Sequence, residues 1–213
     1  MPEEIQIMGG ASMDLIRKEY FNTRTLVKTS ILGAIAFLLM FFEFPLWFAP
    51  AFLELDFSDV PALIGSFALG PFAGIMVQFV KNLLNLIIQG TDTAGVGELA
   101  NFIVGSVFAY TAGFIYQKNK TFKNAIIGMI TGTVAMTIAM SLANYFVMIP
   151  LYAKLFGWPI SDIVALGSAV NKYVVDFKTL ILFAVVPFNL LKGVIVTLIT
   201  TLLYKKVSPI LKK

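Results

Sequence analysis

Two lysines stand in apolar stretches where an ammonium group is expensive. Apart from Lys28 at the edge of the first span, Lys81 and Lys192 are the only charges inside the segments that read as membrane spans. A lysine at the centre of such a helix costs about 2.5–3.5 kcal/mol on insertion scales, so it faces a cavity or a partner unless it can snorkel to an interface. Amides accompany both lysines. Asn189 and Lys192 are i, i+3 neighbours; Gln78, Asn82 and Asn85 recur at i, i+4 and i+7; Asn144 precedes Tyr145. One reading is interhelical hydrogen bonding, worth roughly 0.6–2 kcal/mol per bond. The other is a shared pocket whose donors and acceptors suit a flat, polar-edged heterocycle. Glu54 and Asp56 would accept from hydroxyls there. Trp47, Phe48, Phe52 and Phe57 would give apolar cover, although an aromatic interface belt also accounts for Trp47 and Phe48.

Other chemistries are excluded by what is missing. The chain has no cysteine and no histidine, which removes disulfides, thiolate chemistry, most zinc and haem sites and any His-based general base. Glu54, Asp56 and Asp59 crowd one loop, but without a histidine they do not make a metal site, and no enzymatic machinery is expected. No GxxxxGK[ST] loop is present, so the chain does not hydrolyse ATP through a P-loop. No carboxylate is expected inside a span, where ion-coupled carriers commonly hold the coupling ion. Uphill transport would then draw its energy from another protein. The net charge of +4 lies beside apolar blocks and reads as a topology signal, with no nucleic-acid partner.

The elements that must position these residues are membrane helices. The 213 residues are 58% hydrophobic and 13% charged, with a mean hydropathy of +0.86, and the charge is squeezed out of long blocks. The first span runs from about Leu26 to Phe42, followed by a loop from Glu43 to Ser58 that includes an alternating, extended piece over Phe52–Phe57. The apolar run from Val60 through Ile88 is broken at Gly70-Pro71, a helix stop and restart. Further spans cover Leu99–Tyr116, Asn124–Ile149 and Thr179–Tyr204, with a loop from Pro150 to Asp176 between the last two.

Charge fixes the topology. Arg17, Lys18, Arg24, Lys28, Lys118, Lys120, Lys123, Lys205, Lys206, Lys212 and Lys213 are eleven of the sixteen basic residues, and they flank one set of span ends, expected to be cytoplasmic. The chain between spans one and four must then cross an even number of times. Two helices meeting at Gly70-Pro71 satisfy that condition, giving an all-α integral membrane protein of six transmembrane helices. Both termini are cytoplasmic, and an extended loop joins helices 1 and 2. The expected division is a cytoplasmic segment over 1–23, a six-helix domain over 24–206 and a cytoplasmic tail over 207–213. The N-terminal stretch, with Glu3, Glu4, Asp14 and Glu19 among its basic residues, does not read as a signal peptide. Small residues Ser30, Gly33, Ala34 and Ala36 cluster in the first span, and Gly128 and Gly132 share the spacing of Ser30 and Ala34. Such spacing admits a close helix neighbour, either within the chain or in a partner subunit.

The order of these motifs resembles one family, the riboflavin-specific substrate-binding (S) components of energy-coupling factor (ECF) vitamin transporters. The matching stretches are Leu55–Leu63, Gly70-Pro71 with Lys81–Leu84, Gly95–Phe102, Asn144–Phe146 and Pro187–Gly193. The resemblance implies riboflavin as transported ligand, bound at the outer side of a bacterial plasma membrane, with FMN accepted by related members. Asn144, Asn189 and Lys192 would meet the polar edge of the flavin. Leu53, Glu54, Leu55 and Asp56, with Asn82 or Asn85, would meet its ribityl chain. It also implies partners: a transmembrane coupling subunit and two ATP-binding subunits, with docking through Ser30, Gly33 and Ala34 of the first helix. An S component for another vitamin, or a solitary facilitator, is the alternative function.

Overall fold

The computed structural model describes residues 22–211. Arg17 and Lys18, most of the expected 1–23 segment, and Lys212 and Lys213 lie outside the described residues. Helix α1 (Thr23–Met40) starts where the Asn22 side chain accepts the Thr25 amide, satisfying one orphan N–H. Two short antiparallel strands follow, β1 (Phe44–Pro45) and β2 (Glu54–Leu55), with Phe44 opposite Leu55. The extended piece expected between Phe52 and Phe57 thus folds back on the segment that follows α1.

Helix α2 (Asp59–Leu69) and helix α3 (Pro71–Ile88) are separate, as the Gly-Pro break predicts. Gly70 sits at φ 113° and ψ 163°, a conformation essentially reserved for glycine. Pro71 then opens α3, where its missing N–H is no loss. Eleven residues make α2 roughly 16 Å long, about half a hydrocarbon core. Its shortness is tolerable because every residue from Asp59 to Phe67 is buried by neighbouring helices. The expectation that no carboxylate lies inside a span meets two first-turn carboxylates: Asp59 is the first residue of α2 and is 1% exposed, and Glu98 stands in the first turn of the Val96–Lys118 helix.

Helix α4 (Val96–Lys118) packs closely on α5, which begins at Phe122. A Cβ on Gly128 would lie 2.6 Å from the Ala112 carbonyl oxygen, and one on Gly132 would lie 2.8 Å from Phe108 Cδ2. These small residues therefore serve packing within the chain. Helix α5 comprises Phe122–Ala143, a π-helical turn over Asn144–Met148, and Ile149–Phe156. Helix α6 (Ile160–Ser168) follows, and α7 comprises Phe177–Leu180, a π-helical turn over Ile181–Val185, and Val186–Leu211. Asp176 caps α7 with its side chain on the Thr179 amide.

The stretch from Pro150 to Asp176, expected to be a loop, is largely helical. Proline lacks an N–H, and its ring presses on the carbonyl four residues earlier, which argues for a helix stop. Here the pressed carbonyls belong to Phe146 and, for Pro187, Phe183, and both lie inside the widened turns. Inserting one residue into the turn relieves the clash and lets the helix continue.

Among the described residues, five helices are long and apolar enough to cross a membrane: Thr23–Met40, Pro71–Ile88, Val96–Lys118, Phe122–Phe156 and Phe177–Tyr204; α2 is a shorter apolar helix. The Tyr116 and Tyr204 hydroxyls touch, and the Phe67 ring lies 4.9 Å from that of Tyr116 and 5.6 Å from that of Tyr204. The C-terminal ends of α2, α4 and α7 therefore share one end of the bundle. Replacing Gly70 with Ala should lower stability by about 1–3 kcal/mol, the cost of forcing a side chain into that backbone region. Thermal unfolding of the purified protein in detergent measures this, and an unchanged midpoint would contradict the need for glycine there.

Candidate functional site

At the other end of the bundle lies a cluster of buried charge. Asp56 precedes α2, Asp59 begins it, and both carboxylates benefit from the helix N-terminus. The Asp56 Oδ1 atom accepts from the Ser58 backbone N–H at 2.7 Å and also from the Ser58 hydroxyl. Its Oδ2 atom accepts from Lys192 Nζ of α7 at 3.0 Å. Lys192 Nζ also lies 3.4 Å from Asp59 Oδ2. From α3, Lys81 Nζ approaches Asp59 Oδ1 at 3.4 Å and donates to Ser58 Oγ at 2.8 Å and to Asn101 Oδ1 of α4 at 2.8 Å. Gln78 Nε2 donates to Asp59 Oδ1 at 2.7 Å. Two ammonium groups thus balance two carboxylates, all four of them buried. Burial alone would push the Asp56 carboxyl up. Lys192, Lys81 and the Ser58 hydrogen bond outweigh that and hold it well below the usual carboxylate range.

Beside the cluster opens a cavity of about 510 Å³, within the usual range of small-molecule sites, roughly 300–1,000 Å³. Lys192, Asn189 and Asn144 reach it from α7 and α5, and Leu53 and Glu54 from the β2 segment. Asn144 donates its amide N–H to the Met140 carbonyl at 3.0 Å, and Asn189 donates to Val185 at 2.9 Å. Both bonds reach one turn back on the same helix, at the edge of a π-helical turn. They engage the amide nitrogens and leave the amide oxygens as acceptors beside the Lys192 donor. The remaining wall is mainly apolar, with Val104, Met140, Met148 and Phe188; the end of α5 adds Tyr152, and α6 and the turn before it add Ile163 and Trp158.

A second, polar cavity of about 570 Å³ adjoins the first, lined by Glu43, Glu54, Asn85, Gln89, Asp92 and Glu98 among others. Phe52, Glu54, Thr93, Gly97 and Asn101 line both. Desolvation first, and then the neighbouring carboxylates, raise Glu43 and Glu54 above the ordinary 4.5.

Of the residues singled out from the sequence, Leu53, Glu54, Asn144, Asn189 and Lys192 converge on the first cavity, and Asn85 lines the second. Asp56, Leu55 and Asn82 stand behind the wall. Asp56 holds Lys192, Leu55 packs with Leu46, Ala49 and Phe188, and Asn82 donates to the Gln78 carbonyl at 2.8 Å. Trp47 is 80% exposed; of the four aromatic residues expected to give cover, Phe52 lines the first cavity, where Tyr152 and Trp158 join it. On α1, Ser30 and Ala34 are exposed, whereas Gly33 faces inward, where a Cβ would lie 2.5 Å from Val80 Cγ1. Lys81 is conspicuous in the sequence as a charge in an apolar run but is not among the residues expected to meet the ligand, and Asp59, Ser58 and Asn101 enter the resemblance only through the stretches Leu55–Leu63 and Gly95–Phe102.

Two stability measurements test this electrostatic arrangement. Lys192→Met leaves two buried carboxylates facing one ammonium and should cost about 3–5 kcal/mol, the penalty for breaking a buried pair. Lys192→Met with Asp56→Asn restores the balance and should recover part of that loss; a double variant no more stable than the single would contradict charge balance. Glu43 and Glu54 bind their protons more tightly folded than unfolded. Their contribution is therefore present below the ordinary 4.5 and is lost as pH rises through their higher folded values. Glu43→Gln with Glu54→Gln should flatten the fall of the unfolding midpoint over that window; an unaltered pH profile would contradict it.

The family model for the substrate-specific component of ECF transporters matches residues 24–204. The chain is 41% identical over 192 residues to the riboflavin transporter RibU of Staphylococcus aureus (strain TCH60), covering 90% of this chain and 94% of that protein. It is 38% identical over 190 residues to the riboflavin transporter FmnP of Bacillus subtilis (strain 168), covering 88% and 94%. A solved structure described as the S component of a bacterial ECF transporter superposes with a TM-score of 0.68 at 38% identity, covering 89% of this chain and 98% of that one.

Proposed function

The chain belongs to the family of ECF transporter substrate-specific components, and on that basis we propose that it captures riboflavin at the outer face of a bacterial plasma membrane. It is a transport component rather than an enzyme. The observation that carries the reading is the convergence of Lys192, Asn189 and Asn144 on one largely apolar cavity. The edge of a flavin ring alternates carbonyl oxygens with an N–H. A lysine donor beside amide oxygens complements that pattern, and apolar walls suit the faces of the ring. The adjoining polar cavity, with Glu54 and Asn85, suits the hydroxylated chain. FMN shares the same ring.

In this reading α2 is a sixth crossing, short because other helices sheath it. The cluster of basic residues marks the opposite end, with both termini, as cytoplasmic. The shared end formed by Phe67, Tyr116 and Tyr204, remote from the cavity, supports that arrangement. The described residues hold no P-loop sequence, so energy comes from a coupling subunit and two ATP-binding subunits. The exposed small face of Ser30 and Ala34 on α1 suits close approach of the coupling subunit, while Gly33 serves packing against α3.

Protein purified from flavin-containing cells should carry a yellow chromophore with quenched fluorescence. Lys192→Ala or Asn189→Ala should weaken riboflavin binding by about 1–3 kcal/mol, the cost of stranding a buried partner. Titration of the purified variants checks this, and full affinity in both would contradict the assigned pocket. Ala34→Trp should leave riboflavin binding unchanged and lower uptake by the assembled complex; normal uptake would contradict docking on α1.

A further inference from the structure

The Gly95–Phe102 stretch lines both cavities and meets the buried Lys81 behind their wall, and neither has yet been given a role toward the ligand. Asn101 lines both cavities and so stands at their junction, the passage that a ligand reaching from one to the other would take. The other polar side chains shared by the two are Thr93 and Glu54. Thr93 is occupied: its hydroxyl donates to Glu98 Oε2 at 3.1 Å and accepts the Gly97 amide at 2.9 Å. Asn101 is occupied on one side only. Its Oδ1 accepts from Lys81 at 2.8 Å, and among the described residues its Nδ2 has no partner. Lys81 lines neither cavity and is 0% exposed. Its three hydrogens face three oxygens, those of Ser58, Asp59 and Asn101. An ammonium cannot accept, so it can hold the amide in only one sense, oxygen inward and N–H groups toward the passage.

We propose that Asn101 is a ligand-contacting donor selective for the hydroxylated side chain of the flavin, and that Lys81 is the positioning residue that sets its orientation. This rests on the reading of the chain as a riboflavin binder. A hydroxyl both donates and accepts, and the passage offers one of each: the Asn101 amide hydrogens and the Glu54 carboxylate. A flavin seated with its ring in the apolar chamber must send its side chain past this pair to reach the polar chamber. A flavin that bears only a methyl group in place of that chain passes neither.

Titrations of riboflavin and lumiflavin, which has that methyl group, into the full-length protein in detergent test the inference. Asn101→Asp keeps the oxygen that Lys81 needs and removes the donors; Asn101→Ala removes both. Each should weaken riboflavin by about tenfold, the scale of one hydrogen bond, and leave lumiflavin affinity as in the unmodified protein. Lys81→Met should show the same split, which a loss of general stability would not produce. Unchanged riboflavin affinity in both Asn101 variants, or an equal loss for the two flavins, would overturn the contact. Equal loss in Lys81→Met alone would overturn the positioning role. An unmodified protein that binds neither flavin would overturn the riboflavin reading, and the inference with it.

Discussion

Two buried ammonium groups held between two buried carboxylates are the constraint around which the site is arranged. Taking any of these ions out of water costs several kcal/mol even after relaxation, so none is tolerable alone. The cost is offset only while all the partners stay in place: Asp56 before α2, Asp59 at its start, Lys81 on α3 and Lys192 on α7. Ser58, Gln78 and Asn101 complete the shell. Such a cluster is a poor way to gain stability, since packed apolar side chains would do as well. What it provides is position. It ties one loop and four helices together at one end of the bundle, and it leaves a single charged head, that of Lys192, at the wall of the cavity.

The helices reach that end with the same local device used twice. In α5 and α7 a π-helical turn precedes a proline, and the cavity amides sit at or just beyond the widened turn. One added residue rotates all that follows by about 100°. The side-chain amides spend their N–H groups on the backbone carbonyls one turn back and keep their oxygens for the cavity. The irregular backbone is thus sheltered inside the protein and beside a cavity, the setting in which a membrane protein tolerates it.

Much of this was legible in the sequence because membrane helices punish charge. Lys192, Asn189 and Asn144 stood out as polar groups in apolar runs, and they meet at one cavity. The break at Gly70-Pro71 was legible because only glycine takes the φ found there. Other features turn on information that local patterns do not hold. Asp56 and Lys192 are 136 residues apart, and nothing in either neighbourhood names the other. Asp59 read as a loop residue because its burial comes from surrounding helices. The helical stretch after Pro150 was hidden because a widened turn cancels the usual meaning of proline. On α1, the composition of Ser30, Gly33 and Ala34 was plain, but their division into an outward pair and an inward glycine depends on where α3 lies.

The cluster is proposed to hold Lys192 so that its ammonium serves both Asp56 and a ligand in the cavity. A structure of the riboflavin complex tests it most directly. The account predicts the flavin ring edge within hydrogen-bonding distance of Lys192 Nζ, with the Asp56 contact retained. A flavin seated elsewhere, with the Lys192 ammonium enclosed wholly by Asp56 and Asp59, would contradict it.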